Sequence, residues 1–221
     1  MQFHISTNPS SHLLVIFEPH EQLITEKGVF ISADGEYSFK NKLEINSYKS
    51  WIASIIEDKS LAYNLYTAQE PLQMILAPND NAEILQIDIS HENPIIFEPN
   101  LHFARTPALE LKLKRNDWKS TLNDGLKLQT EGDGTLLLKT YGKVIVQEID
   151  REKPIYIDEN ALVAFEATVT VKTITKSLKE MLTSGEGLLY ALSGKGKIWL
   201  QTRKPNTKIG GGIIGSVLNW L

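Results

Sequence analysis

Short runs of Val, Ile, Leu, Tyr and Phe alternate with polar residues along most of the chain, each run bounded by Gly, Pro, Asn or Asp. Period-two alternation turns one face of a strand inward and the other outward, so the pattern predicts β-structure. Examples are VIVQEID from Val144 and EILQIDIS from Glu83. Three segments break the pattern. SYKSWIASIIEDK places Tyr48, Trp51, Ile52, Ile55 and Ile56 on one face at helical spacing. SLKEMLTSG has Ser177 and Glu180 at capping-box spacing, an apolar face of Leu178, Met181 and Leu182, and Gly185 beyond its end. RNDWKSTLNDG predicts a short helical turn. After Pro205 the composition changes: in NTKIGGGIIGSVLNWL, Ile213, Ile214, Val217, Leu218 and Leu221 share one helical face. That tail is expected to pack on its own β assembly, with another subunit, a separate partner or a membrane surface as alternatives.

The strand pattern repeats. GLKLQTEGDGTLLLKT, residues 125–140, matches GLLYALSGKGKIWLQT, residues 187–202, without a gap at an offset of 62 (187 − 125). Gly132 meets Gly194, Gly134 meets Gly196 and Thr140 meets Thr202. PIYIDENALVAF from Pro154 resembles PIIFEPNLHFA from Pro94 at an offset of 60 (154 − 94). A fainter copy stands in front: LLVIFEPHEQLITEKGVFIS from Leu13, then LAYNLYTAQEPLQMILAP from Leu61, with Ala68-Gln69-Glu70-Pro71 where the glycines would be. Residues 1–221 thus read as one domain of three units, about 13–78, 83–141 and 144–203, followed by the tail 204–221. Each Gly-x-Gly is expected at a hairpin tip, where glycine supplies positive φ without steric cost.

Composition removes several classes of chemistry. The chain has no cysteine, so thiolate catalysis, disulfides and cysteine metal sites are excluded. Its 23 basic and 27 acidic residues give a net charge of −4, which argues against nucleic acid as a partner. No stretch approaches the roughly 20 apolar residues that span a bilayer, and the N-terminus does not read as a signal peptide. GGGIIG, residues 210–215, satisfies a dinucleotide spacing, but that fingerprint needs a strand before it, a helix after it and an acid about 20 positions on, and only six residues follow (221 − 215), so a glycine joint is expected instead. Gly194-Lys195-Gly196-Lys197 suggests a phosphate cradle, yet the matching loop carries Glu131 and Asp133, which would repel one. None of His4, His12, His20, His91 and His102 forms a metal-ligating pair in sequence. Ser193 lacks the first glycine of a nucleophile elbow. Spacing singles out none of Asp88, Glu98, Asp150, Asp158 and Glu166. Arg105 and Arg203 read as strand-end residues, with anion binding as the sharper alternative, and Trp199 as a core or interface residue. No catalytic, cofactor-binding or metal residue is assigned.

The repeat, together with SGEGLLYALSGKGKIWLQTR from Ser184 to Arg203, resembles the altered-inheritance-of-mitochondria protein twenty-four family, through Trp199, Gln201, Thr202 and Arg203. YTAQEPLQMILAP and the glycine-rich apolar C-terminus are similar to it as well. The chain departs from the family at the polar ISADGEYSFKNKLEINSYKSW, where many members are glycine-rich. The resemblance implies three units like that of the tryptophan RNA-binding attenuation protein, joined in one chain. It implies no activity, and its eukaryotic members point to membrane organisation in mitochondria.

The expectation is therefore an all-β chain with a few short helices. Its three β repeats form a pseudo-threefold sandwich- or barrel-like assembly, like the attenuation protein's double-stranded β-helix. The expected function is that of a cytoplasmic, homo-oligomeric, non-catalytic binding or scaffold protein of the mitochondrial biogenesis type. It uses no cofactor, and peripheral, membrane-proximal association is left open. The alternatives are a small-ligand or nucleic-acid binder using the inter-repeat grooves, and an enzyme of unrecognised type.

Overall fold

The computed structural model describes residues 1–7, 10–43, 62–114, 127–174 and 189–204. Most of these residues are in strands. In the first third are β1 (Gln2–Ser6), β2 (His12–Phe17), β3 (Gln22–Glu26), β4 (Phe30–Asp34), β5 (Tyr37–Leu43), β6 (Ala62–Ala68) and β7 (Leu72–Leu76). The middle holds β8 (Glu83–Ile89), β9 (Ile95–Phe97), β10 (His102–Arg105), β11 (Glu110–Leu113), β12 (Leu128–Glu131) and β13 (Gly134–Thr140). Then follow β14 (Val144–Asp158), β15 (Leu162–Glu166), β16 (Val169–Ile174) and β17 (Leu189–Gln201). The helical elements among the described residues are two 3₁₀ turns, Pro99–Leu101 and Glu159–Ala161. The helices expected around Tyr48, Trp118 and Ser177, and the apolar tail, lie outside the described residues. Among the described residues no helix is long and apolar enough to cross a membrane.

Alternation is visible in burial. Leu13, Val15 and Phe17 of β2 and Leu72, Met74 and Leu76 of β7 are buried, while the residues between them are partly or fully exposed. In β9, β10 and β15 the run is buried without alternation because both faces are covered. All pairings are antiparallel. One sheet has the order β1-β2-β7-β4, the second β5-β6-β3-β10-β13-β8, and the third β11-β12-β9-β15-β17-β14, with β16 also on β17. The core falls into three clusters, centred on Phe17 and Met74, on Phe97 and Leu136, and on Ile149 and Leu192. Trp199 is buried in the second.

The neighbours of the central strands follow one scheme. β7 lies between β2 and β4, β13 between β8 and β10, and the second half of β17 between the start of β14 and β15. β6 lies between β3 and β5, β12 between β9 and β11, and the first half of β17 between the end of β14 and β16. A register shift falls at Phe30/Ser32, at His102/Ala104 and at Leu162/Ala164.

The glycine pairs are not hairpin tips. β12 pairs with β9 and β11, whereas β13 pairs with β8 and β10, so Gly132 and Gly134 mark a corner where the chain leaves one sheet for another. Gly194 and Gly196 bend the single long strand β17, opposite the register shift between Arg151 and Ile155. The backbone demand is the same at both. Gly132 has φ +90° and Gly194 φ +99°, and a β-carbon on either would lie 2.9 Å from a carbonyl oxygen, that of Ala108 or Thr168. Only glycine meets both conditions without strain.

Candidate functional site

The pairing of Leu113 with Leu128 continues one step further, with the Lys114 amide donating to the Lys127 carbonyl at 3.0 Å. Directly opposed residues of an antiparallel pair share a face, so the two lysine side chains point to the same side. β15, β16 and the first half of β17 supply the facing wall: Phe165, Val169, Thr170, Val171 and Tyr190. Together they enclose a pocket of about 220 Å³. Lys127 is buried; its Nζ lies 3.4 Å from the Tyr190 hydroxyl, 5.2 Å from that ring's centroid and 3.7 Å from Glu98 Oε1. Lys114 Nζ sits 5.5 Å from the centre of the Phe165 ring. Aromatic faces attract ammonium groups and hold them in place. Burial, and then the charge of Lys127, holds the Lys114 ammonium below the usual lysine range. Among the described residues, two ammonium groups with Glu98 as the carboxylate nearby leave an excess of positive charge in a recess walled by Phe165, Val169, Val171 and Tyr190. Such a recess can take a small anion through the charge of the lysines and the hydroxyl of Tyr190.

The residues singled out in the sequence fall elsewhere, apart from Glu98. Lys195 and Lys197 are solvent-facing, 3.3 Å from Asp150 and 3.9 Å from Glu148. The amide of Lys197 donates to Glu166 Oε2 at 3.0 Å, so a carboxylate occupies the place a phosphate would need. Asp158 caps the second 3₁₀ turn through the Asn160 amide at 2.9 Å. Asp88 accepts from the Thr135 hydroxyl at 3.0 Å. Ser193 faces Thr170 across β16 and β17. GGGIIG lies outside the described residues.

The histidines are spread over β1, β2, two turns and β10, and among the described residues no three His, Asp or Glu side chains gather as a metal site. His91 is exposed on Asp133, whose carboxylate raises its pKa. His102 is buried at 4.7 Å from the Tyr63 ring. Burial, with the charges of Arg105 and Lys139, pushes its pKa well below the usual range. It is therefore neutral, and its Nε2 accepts from Arg105 Nη1 at 3.3 Å. Arg105 is buried too; its Nε donates to the Leu109 carbonyl at 2.9 Å and its guanidinium lies over Tyr63. It ties down the turn between β10 and β11. Arg203 is exposed beyond the end of β17, so the two arginines are not equivalent.

The class is thus that of an all-β protein of curled antiparallel sheets. The family model for mitochondrial biogenesis AIM24 matches residues 3–203, and the chain belongs to that family. The fold is similar to the X-ray crystal structure of a protein from Streptococcus pyogenes, at 19% identity and a TM-score of 0.75, over 100% of this chain and 99% of that one. No curated protein sequence matches.

Proposed function

We propose that the chain is a non-catalytic scaffold of three β units, residues 13–78, 83–141 and 144–203, arranged with pseudo-threefold symmetry and working as a homo-oligomer. The observation that carries this is the recurrence of one neighbour scheme with the register shift at Phe30/Ser32, His102/Ala104 and Leu162/Ala164. A bulge at a matching place in separate stretches of chain is a designed feature, not accident. Polar groups inside the structure serve the frame as well: buried Arg105 anchors a turn, and half-buried Lys139 meets Glu26 at 2.7 Å between β13 and β3. A scaffold of this kind assembles when pure. Light scattering on the full chain is expected to give a mass of two or more copies at micromolar concentration, and a monomer throughout overturns the reading.

A second reading is favoured by the pocket around Lys114 and Lys127, which sits between the second and third units. There the protein would hold a small phosphate- or carboxylate-bearing ligand. Titration with inorganic phosphate, followed by amide chemical shifts, is expected to move Thr170 and Tyr190 in the wild type and not in Lys127→Met. Equal shifts in both proteins, or none in the wild type, refute it.

A further inference from the structure

Two joints hold the described sheets together between units. β3 pairs with β10, and β9 pairs with β15. At the first, Ala104 faces Thr25 and Arg105 faces Ile24. At the second, Ala164 faces Phe97, Phe165 faces Ile96 and Glu166 faces Ile95. Each joint runs from the second strand of one unit to the third strand of the next, just past the register shift. It also exchanges side chains. Ile24 lies in the middle cluster and Phe103 in the first; Ile96 lies in the last cluster and Val163 in the middle one.

The same two surfaces stand unused at the ends of the described structure. Among the described residues, β4 is the edge of its sheet, and the end of β14 carries no strand on the side away from β17. Ile31 holds the place of Phe103 and Val163, one residue past Phe30, His102 and Leu162. It is 60% exposed where they are 0% and 1%. Tyr156 holds the place of Ile96 and Ile24, and is 63% exposed where they are 0% and 2%. An exposed strand edge with large apolar side chains is a template for a further strand.

We propose that β4 of one copy pairs with residues 155–158 of β14 in a second copy, making between chains the joint that the chain makes twice within itself. The internal joints set the register: Ser32 opposite Ile157, Ala33 opposite Tyr156 and Asp34 opposite Ile155. Ile31 then enters the cluster of Ile149 and Leu192, and Tyr156 of the other copy enters that of Phe17 and Met74. Two further details agree. The Pro94 carbonyl accepts from the Ala167 amide at 2.8 Å beside the second joint. In the new joint the Pro154 carbonyl would accept from Gly35 in the same way. Continuing the register one residue further sets exposed Glu36 against exposed Lys153. Because the two edges differ, the contact is head-to-tail and propagates until the rotation closes a ring.

This inference rests on the oligomeric scaffold reading, and the test separates them. In full-length protein, Ile31→Lys and Tyr156→Lys each block one edge. Each variant alone is expected to be monomeric by light scattering, with an unchanged far-ultraviolet spectrum. An equimolar mixture is expected to form a dimer, since each partner keeps the edge the other lacks. The chain has no cysteine, so Ala33→Cys mixed with Tyr156→Cys is expected to give an intermolecular disulfide under mild oxidation. A wild-type oligomer whose mass neither lysine variant changes overturns the joint and leaves the scaffold standing. A mixture that stays monomeric overturns it too, as does an intramolecular bridge in the Ala33→Cys/Tyr156→Cys double variant, which would mean that the chain closes on itself. A monomeric wild type overturns both.

Discussion

Replacing Gly194 by alanine tests the corner at the centre of β17. Two costs add. The residue has φ +99°, where an L side chain is disfavoured by about 1–2 kcal/mol. The new β-carbon would sit 2.9 Å from the Thr168 carbonyl oxygen, a backbone atom in the strand-to-strand turn before Val169, which cannot swing aside as a side chain can. Relieving such overpacking costs roughly 1–3 kcal/mol. The expected loss is about 2–5 kcal/mol, measured as a lower urea midpoint at unchanged slope. At this chain length each kcal/mol lowers the melting temperature by about 2–4 °C. Gly132→Ala is expected to lose a similar amount, because its φ and its distance to the Ala108 carbonyl match those at Gly194. A loss under about 0.5 kcal/mol at either site refutes the reasoning. So does a large difference between the two, since the geometric demand is the same.

Lys195→Ala with Lys197→Ala is expected to leave the unfolding free energy within about 0.5 kcal/mol of wild type, because both side chains face solvent; a larger drop would give the loop a structural role beyond its glycines. Stability is expected to fall as the pH drops below about 6.5, where His102 takes up a proton in the unfolded chain and not in the fold. That contribution is complete above about 6.5 and shrinks by up to about 1.4 kcal/mol per pH unit below it. The midpoint of His102→Gln, followed over the same range, is expected to fall less steeply, and equal slopes refute the assignment. Lys114→Met is expected to keep the fold and weaken phosphate binding, read from the same amide shifts as Lys127→Met.

Much of the frame is legible in the amino-acid order, because strands and turns follow from local rules. Alternation marks β2 and β7, and the matching glycines at 132 and 194 mark places of positive φ whatever lies around them. The family is also carried by contiguous residues, Trp199 to Arg203. What the order of residues cannot express is which strand a strand meets. A Gly-x-Gly between two apolar runs reads the same whether the runs pair with each other or separate into two sheets, so alternation alone predicts hairpins where the chain makes corners. The pocket has the same cause: Lys114 and Lys127 are 13 positions apart (127 − 114), and only the pairing of β11 with β12, facing Tyr190 from β17, brings buried Lys127 and half-buried Lys114 into one charge cluster. Tertiary structure alone separates Ile31 from Val163, or Tyr156 from Ile96. All four are apolar strand residues in matching places, and the presence or absence of a neighbouring strand decides which of them water reaches.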